Sequence, residues 1–237
     1  MVKIDLITGF LGSGKTTFIK KYAKYLMAQG MNIGILENDF GAVNVDMMLL
    51  KDLEGDQCEL EMVAGGCDAD CHRRRFKTKL IAMGMCGYDR VIVEPSGIFD
   101  VDEFFDVLRE EPLDQWYEIG SVITIMNAKL EDTLSEEAEY LLASEAANAG
   151  CIVLSRSQDA SPEEIAKTRA HLNCALQAVH CSRQFGDEII EKNWEDFTEQ
   201  DLERIQNSGY HVEDYTKLHF PEKERFQSVC VMNQEMT

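Results

Sequence analysis

A glycine-rich segment near the start of the chain has the residue types and spacing to hold phosphate. Residues 9–17 read GFLGSGKTT and satisfy the pattern G-x-x-x-x-G-K-[ST]. The glycines permit backbone angles closed to other residues, so successive N–H groups can point into one concavity. In this pattern Lys15 neutralises the β- and γ-phosphates, and the hydroxyl of Thr16 binds Mg²⁺. The predicted residues of this nucleoside triphosphate site are Gly9, Gly12, Ser13, Gly14, Lys15, Thr16 and Thr17.

Two acidic segments follow apolar runs and are predicted to complete the magnesium site. Glu94 ends the run RVIVE in the order E-P-S-G, where a carboxylate can hold Mg²⁺ directly or through water. The N–H of Gly97 can then approach the γ-phosphate and report its presence. In the segment ENDFG, Glu37 and Asp39 are expected to meet the magnesium, position water or bind a second metal. An ordinary acidic loop is the alternative for ENDFG.

Residues 67–72, CDADCH, place two thiols, two carboxylates and an imidazole in one short segment. Thiolate and imidazole ligands suit Zn²⁺, and also Ni²⁺ or Co²⁺, with carboxylates as harder ligands. We therefore predict a transition-metal site at Cys67 and Cys71, with Asp70 as a further ligand. The alternative is that both cysteines are structural.

The strands and helices that must position these residues can be predicted from short apolar runs separated by helical patterns. Near-continuous apolar runs indicate strands covered on both faces. Their alternation with helices predicts an α/β fold, a doubly wound, mostly parallel sheet of about seven strands flanked by helices. The first predicted helix runs from about Lys15 to Gln29. The predicted strands are Lys3–Thr8, Asn32–Glu37, Leu60–Val63, Arg90–Glu94, Val122–Met126, Cys151–Leu154 and Ala178–Cys181.

Composition excludes several classes of function. The 237 residues include 43 acidic and 23 basic residues, a formal net charge of −20. This charge argues against a general nucleic-acid binder and against docking on anionic lipid. No run approaches the ~18 apolar residues of a membrane helix, and the first residues do not read as a secretory signal. We therefore predict a cytoplasmic protein with reduced thiols.

In their order and spacing, GFLGSGKTT, ENDFG, GGC and EPSG resemble the CobW-type P-loop GTPases, relatives of UreG and HypB. The resemblance covers about residues 2–160. It implies a SIMIBI-class P-loop NTPase fold, Mg²⁺-dependent GTP hydrolysis, and delivery of a metal ion to a client metalloprotein, with a homodimer across the nucleotide face. We assign residues 1–220 to this domain and residues 221–237 to a tail that resembles the start of the family's C-terminal domain.

The chain departs from the family pattern in its guanine motif, in its cysteine motif, and at Asn127, where family members commonly carry Asp after the fifth strand. The guanine-reading N-K-x-D of the family corresponds here to residues 155–158, SRSQ, followed by Asp159. A glutamine offers one acceptor oxygen beside a donor group, whereas a carboxylate accepts two hydrogen bonds from guanine. Ser155, Arg156 and Asp159 are predicted to contact the nucleotide, either with Asp159 shifted into the reading role or with weakened guanine selectivity. In the family's G-C-x-C-C, only Cys67 matches in place.

Two alternatives to metal delivery use the same phosphate loop. The first is a small-molecule kinase, which would need an acceptor pocket and a base. The second is a weakly hydrolysing, nucleotide-dependent switch with a relaxed choice between GTP and ATP, which the altered guanine motif favours. A basic run at residues 73–79 has two interpretations as well, a solvated helix face or a docking surface for an acidic client.

Overall fold

The computed structural model describes residues 1–39, 45–64, 69–95, 101–131 and 133–218. Within these residues seven strands form one sheet in the order β3-β2-β4-β1-β5-β6-β7, and every pairing between them is parallel. The strands are β1 (Val2–Thr8), β2 (Ile33–Asp39), β3 (Cys58–Ala64), β4 (Arg90–Glu94), β5 (Tyr117–Asn127), β6 (Cys151–Ser155) and β7 (Ile189–Ile190). The predicted doubly wound α/β fold is therefore confirmed.

Helices cover both faces of the sheet. They are α1 (Lys15–Ala28), α2 (Val45–Leu50), α3 (Ala69–Gly84), α4 (Val101–Leu108), α5 (Leu113–Trp116), α6 (Glu136–Ala147), α7 (Pro162–Ala178) and α8 (Glu199–Gln206). Three short 3₁₀ segments lie at Lys51–Leu53, Ser157–Asp159 and Trp194–Asp196. In the part of the chain that the structure describes, none of the helices has the length and apolar character needed to cross a membrane.

The apolar runs of the sequence form strands that bury side chains on both faces. On β4, Val91 and Val93 pack in the core formed with α3 to α7, and Ile92 packs in the core formed with α1, α2 and α8. All three are fully buried. Since successive side chains of a strand point to opposite faces, the interior positions of a strand covered on both sides are apolar, as in the VIV of RVIVE. The charged residues at its two ends, Arg90 and Glu94, are buried beside ion-pair partners.

One predicted strand is wrong. The run AVHC at 178–181 is not a strand, because α7 continues to Ala178 and the chain then turns through His180 with a φ of +59°. The seventh strand is instead Ile189–Ile190. Buried residues of α7 such as Leu172 and Leu176 recur with helical spacing up to this point, whereas a two-residue strand leaves almost no pattern to find.

The proposed boundary at residue 220 stays a prediction, since residues 219–237 lie outside the described part.

A buried ion pair joins three strands and a helix inside the sheet. Arg90 Nη1 lies 2.6 Å from Asp5 Oδ2, and the hydroxyl of Tyr22 donates to the same oxygen at 2.8 Å. The N–H of Ser121 donates to Asp5 Oδ1 at 2.8 Å. Burial raises the pKa of Asp5 above its ordinary value, while Arg90 and these hydrogen bonds act in the opposite direction. The carboxylate therefore depends on its partners to remain charged inside the protein.

We predict that Arg90→Met destabilises the protein by about 3–5 kcal/mol, because it leaves the Asp5 carboxylate buried without its cation. Urea denaturation at pH 7.5 measures the loss. The deficit should shrink as the pH is lowered, since protonation neutralises Asp5. Arg109→Met is the matched control, because Arg109 forms an exposed ion pair with Asp106 and such pairs contribute about 0–1 kcal/mol. Equal losses in both variants would contradict the prediction.

Candidate functional site

The glycine-rich segment lies at the carboxyl end of β1, in the middle of the sheet, and leads directly into α1. Gly14 precedes the first turn of α1 with a φ of +101°. Gly9 has a φ of +135°, and a Cβ atom there would lie only 2.2 Å from the carbonyl oxygen of Ile125. No other residue fits at that position without moving β5. The segment therefore has the conformation that the glycine pattern predicts, with a helix N-terminus behind it.

Lys15 and Thr16 both reach Glu94 across the β1–β4 pair. Lys15 Nζ donates to the carbonyl oxygen of Gly9 at 2.9 Å and lies 3.8 Å from Glu94 Oε1. The hydroxyl of Thr16 donates to Glu94 Oε2 at 3.4 Å. All three side chains are buried, with exposed fractions of 5–8%. The structure thus brings together the residues that the sequence predicts for phosphate and for magnesium.

A second carboxylate lies beside this cluster. Glu37 on β2 is the register partner of Glu94 on β4, so the two residues sit side by side on strands about 4.8 Å apart. Their side chains are 3% and 5% exposed. Two buried carboxylates repel each other unless a cation or a proton intervenes. Together with the Thr16 hydroxyl they form a set of hard oxygen ligands, which fits Mg²⁺.

The loop after β6 reaches over the phosphate loop. Arg156 adopts the left-handed conformation with a φ of +54°, and its Nη2 donates to the carbonyl oxygen of Gly12 at 3.4 Å. Ser155 is buried at the end of β6, while Asp159 is exposed and accepts a hydrogen bond from Gln158 Nε2 at 3.4 Å. Ser155 and Arg156 therefore lie against the site, and the predicted base-reading role of Asp159 stays a prediction.

Trp194 is a residue of this region that sequence reasoning missed. Its indole N–H donates to the carbonyl oxygen of Leu154 at 2.8 Å, and its ring meets Phe18 edge-on at 5.7 Å between centroids. A Cβ atom on Gly14 would lie 3.2 Å from Trp194 Cη2. The indole therefore packs against the phosphate loop itself. Trp194 belongs to no motif. The sequence signal that could have drawn attention to it is the rarity of tryptophan, since the chain has two.

Comparison with known proteins decides the family. Residues 3–184 match the model of the CobW/HypB/UreG nucleotide-binding domain. The chain belongs to the CobW/HypB/UreG family. The predicted resemblance is thereby confirmed, and the glycine-rich segment is the phosphate loop of a nucleotide-binding domain.

Individual relatives cover this chain only in part. The zinc chaperone YeiR of Escherichia coli (strain K12) is 29% identical over 167 residues, which is 69% of this chain and 49% of YeiR. The zinc chaperone YjiA of the same organism is 29% identical over 138 residues, 54% of this chain and 41% of YjiA. The chain thus spans about half the length of these relatives. The solved structure of the hydrogenase maturation factor HypB from Archaeoglobus fulgidus has a TM-score of 0.52 and 16% identity, covering 86% of both chains, and it supports the fold alone.

The predicted transition-metal site of this CobW/HypB/UreG domain cannot be assembled from the described residues. Cys71 is half-buried near the start of α3. Cys67 and the side chain of Asp70 lie outside the described part, as do Gly97 and the side chain of Asp39. Within that part no group of three or more His, Cys, Asp or Glu side chains is placed to hold a metal. The metal-binding role of the cysteine segment stays a prediction.

The basic run on α3 pairs with acids of the same chain. Arg73 and Lys77 lie 2.8 Å and 2.5 Å from the two carboxylate oxygens of Glu110, and Lys79 lies 2.7 Å from Glu61. These contacts favour the interpretation of a solvated helix face over that of a docking surface for an acidic client.

We predict that Trp194 fluorescence reports nucleotide binding, because its ring packs on Gly14 of the phosphate loop. In a Trp116→Phe background Trp194 is the sole tryptophan, and its emission should change when a Mg²⁺–nucleotide complex is added. The double variant Trp116→Phe/Trp194→Phe controls for the nucleotide's own absorbance. Binding detected by calorimetry with unchanged Trp194 emission would contradict the prediction.

Proposed function

We propose that this domain binds and hydrolyses a nucleoside triphosphate with Mg²⁺, and that its nucleotide state controls the delivery of a transition-metal ion to a client protein. The observation that carries the proposal is the convergence of Lys15 and Thr16 on Glu94. Membership of the CobW/HypB/UreG family supports the coarser statement that the chain is a nucleotide-binding domain.

Lys15 is already held where phosphate would arrive. Its ammonium is bound by the carbonyl oxygens of Gly9 and Phe10, at 2.9 Å and 3.3 Å, and by Glu94. On nucleotide binding these contacts would be exchanged for contacts with the β- and γ-phosphates. Because the lysine is buried and positioned beforehand, little side-chain freedom has to be lost at that step.

The two buried carboxylates have different proposed roles: Glu94 binds the magnesium ion, and Glu37 acts on the attacking water. Thr16 and Glu94 would hold Mg²⁺, which when bound neutralises phosphate charge. Glu37, one strand away from Glu94, is the described acid placed to orient water or accept its proton. We keep Asp39 in the same role, and Gly97 as the N–H that senses the γ-phosphate, on the sequence pattern alone.

Metal delivery and its cargo rest on the relatives and on the cysteine segment. YeiR and YjiA carry the description of zinc chaperones, which supports Zn²⁺ over Co²⁺ or Ni²⁺ as the cargo. Cys67, Cys71 and Asp70 are the ligands we propose. Among the described cysteines none takes part in a disulfide, which agrees with a cytoplasmic location. A client metalloprotein and a homodimer are further parts of the proposal.

A specific observation keeps the switch alternative open. The loop that would read guanine carries Gln158 in place of a carboxylate. In this structure one carboxylate oxygen of Asp159 accepts a hydrogen bond from the Gln158 amide. Arg156 meanwhile holds the same loop to Gly12. The contact between this loop and the phosphate loop is therefore present whether or not the loop selects guanine. If it does not, GTP and ATP would bind with similar affinity.

We predict that Lys15→Ala lowers Mg²⁺-dependent phosphate release from GTP by at least ~100-fold. Removal of one preorganised group that stabilises charge in a transition state typically has an effect of this size. Phosphate release is measured with GTP and with ATP, each with Mg²⁺ and with EDTA. Lys20→Ala is the matched control, because Lys20 lies on the same helix and pairs with Asp52 in solvent.

The two nucleotides separate the alternatives. Faster hydrolysis of GTP than of ATP supports the hypothesis of a GTPase. Equal rates support the alternative of a nucleotide-dependent switch with a relaxed choice between GTP and ATP. Transfer of phosphate to an added metabolite, in place of release to water, would establish the kinase alternative. Phosphate release that Lys15→Ala leaves unchanged would overturn the proposed hydrolysis.

We predict that Cys67→Ala and Cys71→Ala each lower the Zn²⁺ content of the purified protein, because each removes a thiolate ligand. Metal analysis by mass spectrometry measures the content per chain. Cys174→Ala is the matched control, since Cys174 is exposed on α7. Unchanged Zn²⁺ in both variants would retire the metal site while leaving the nucleotide site intact.

A further inference from the structure

The side chain of Trp194 joins the end of β6 to the phosphate loop. The indole N–H of Trp194 donates to the carbonyl oxygen of Leu154 at 2.8 Å, and Ser155, the next residue, ends β6. On the other side, the six-membered ring of the indole lies against Gly14, where a Cβ atom would be 3.2 Å from Cη2 and 3.6 Å from Cζ3 of Trp194. The same atom would be 3.8 Å from the Cβ atom of Ser155. The indole therefore lies where the two segments meet and contacts both.

The segment that carries Trp194 is fixed by contacts of its own. Trp194 begins the short 3₁₀ turn after β7, and the side chain of Asn193 caps this turn by accepting a hydrogen bond from the N–H of Glu195 at 3.3 Å. The indole packs against the core formed with α1, α2 and α8, and it meets the ring of Phe18 at an angle of 66°. An indole side chain has only two torsions, so little conformational freedom is left to it once these contacts are made. The position of the ring is therefore set by the protein itself.

The two segments that Trp194 joins have different tasks in the proposed function. The phosphate loop would bind the phosphates through Lys15, and the loop after β6 would face the base. A second contact joins the same segments, since Arg156 Nη2 donates to the carbonyl oxygen of Gly12 at 3.4 Å. That contact is long, and it is made by an exposed arginine, whose side chain loses rotamer freedom when it is held in one place. The half-buried indole is the more rigid of the two connections.

We infer that Trp194 is a positioning residue of the nucleotide site, which holds the loop after β6 at a fixed distance from the phosphate loop so that both ends of one nucleotide bind together. The inference rests on the proposed nucleotide binding. It adds a residue that family membership does not supply, because Trp194 lies beyond residues 3–184 that match the family model. The base and the phosphates of one ligand contribute jointly to affinity only when their two subsites are held at the matching separation. Loss of Trp194 should therefore weaken a ligand that engages both loops more than one that engages the phosphate loop alone.

Calorimetry with ligands that have or lack a base tests the inference. GDP and ADP would engage both loops, whereas inorganic pyrophosphate would engage the phosphate loop alone, and each is titrated with Mg²⁺ into the full chain. Trp194→Phe lacks the indole N–H and has a shorter ring, yet it keeps an aromatic side chain beside Phe18. It should weaken binding of the preferred nucleotide by roughly 10-fold, as expected when two subsites are displaced by a fraction of an ångström. Pyrophosphate should bind to this variant as it binds to the wild type.

Trp116→Phe is the matched control, because Trp116 also packs on a glycine, Gly84 at the end of α3. It should bind all three ligands as the wild type does. Equal fold losses for nucleotide and pyrophosphate in Trp194→Phe would mean that the indole only supports the phosphate loop, and they would overturn the inference. Unchanged affinity for every ligand would also overturn it.

Steady-state phosphate release gives a second readout. Since Trp194→Phe leaves the Lys15 and Glu94 side chains untouched, KM for the preferred triphosphate should rise by roughly 10-fold while kcat stays close to the wild-type value. A fall in kcat at unchanged KM would contradict the inference. A wild-type chain that binds neither nucleotide nor pyrophosphate would overturn the proposed nucleotide site itself, and the inference with it.

Discussion

The buried ammonium of Lys15 is the charge on which the nucleotide edge of this domain depends. Lys15 is 7% exposed, and its ammonium lies 3.8 Å from Glu94 Oε1. The Glu94 carboxylate is tolerable inside the protein because that cation is near, and the cation is tolerable because the carbonyl oxygens of Gly9 and Phe10 and this carboxylate surround it. A polyanion entering the site competes for the same ammonium. The proposed nucleotide binding would therefore redistribute charge between Glu94 on β4 and the phosphate loop.

The overall charge makes this local arrangement necessary. The chain carries a net charge of −20, so its long-range field repels a triphosphate. In the proposed function, attraction comes at short range from Lys15, from N–H groups of the glycine-rich loop and from the magnesium that we propose Thr16 and Glu94 hold. The same field draws cations and cationic surfaces, which is consistent with a proposed role in handling metal ions.

Much of this architecture could be predicted from local pattern, and the rest could not for identifiable reasons. Six strands were predictable because short runs of mostly apolar residues mark the strands of the sheet. The phosphate loop and the helix that follows it were predictable because the glycine spacing is tied to that backbone conformation. The seventh strand, two residues long, has no such pattern. Trp194 reaches the loop through the tertiary packing of the segment that follows β7, and a single tryptophan carries no record of that packing in its sequence neighbours.

The phosphate loop is held from several directions at once, and this bears on how it can signal. Glu94 approaches from β4, Arg156 from the loop after β6, and Trp194 from the segment after β7. In the proposed mechanism, a nucleotide that engages the Lys15 ammonium would free Glu94 for a cation. Because these groups belong to different elements, each can pass the change to a different part of the surface. A loop with contacts to several elements offers several routes by which the proposed nucleotide state would act on other parts of the domain, among them the proposed metal site.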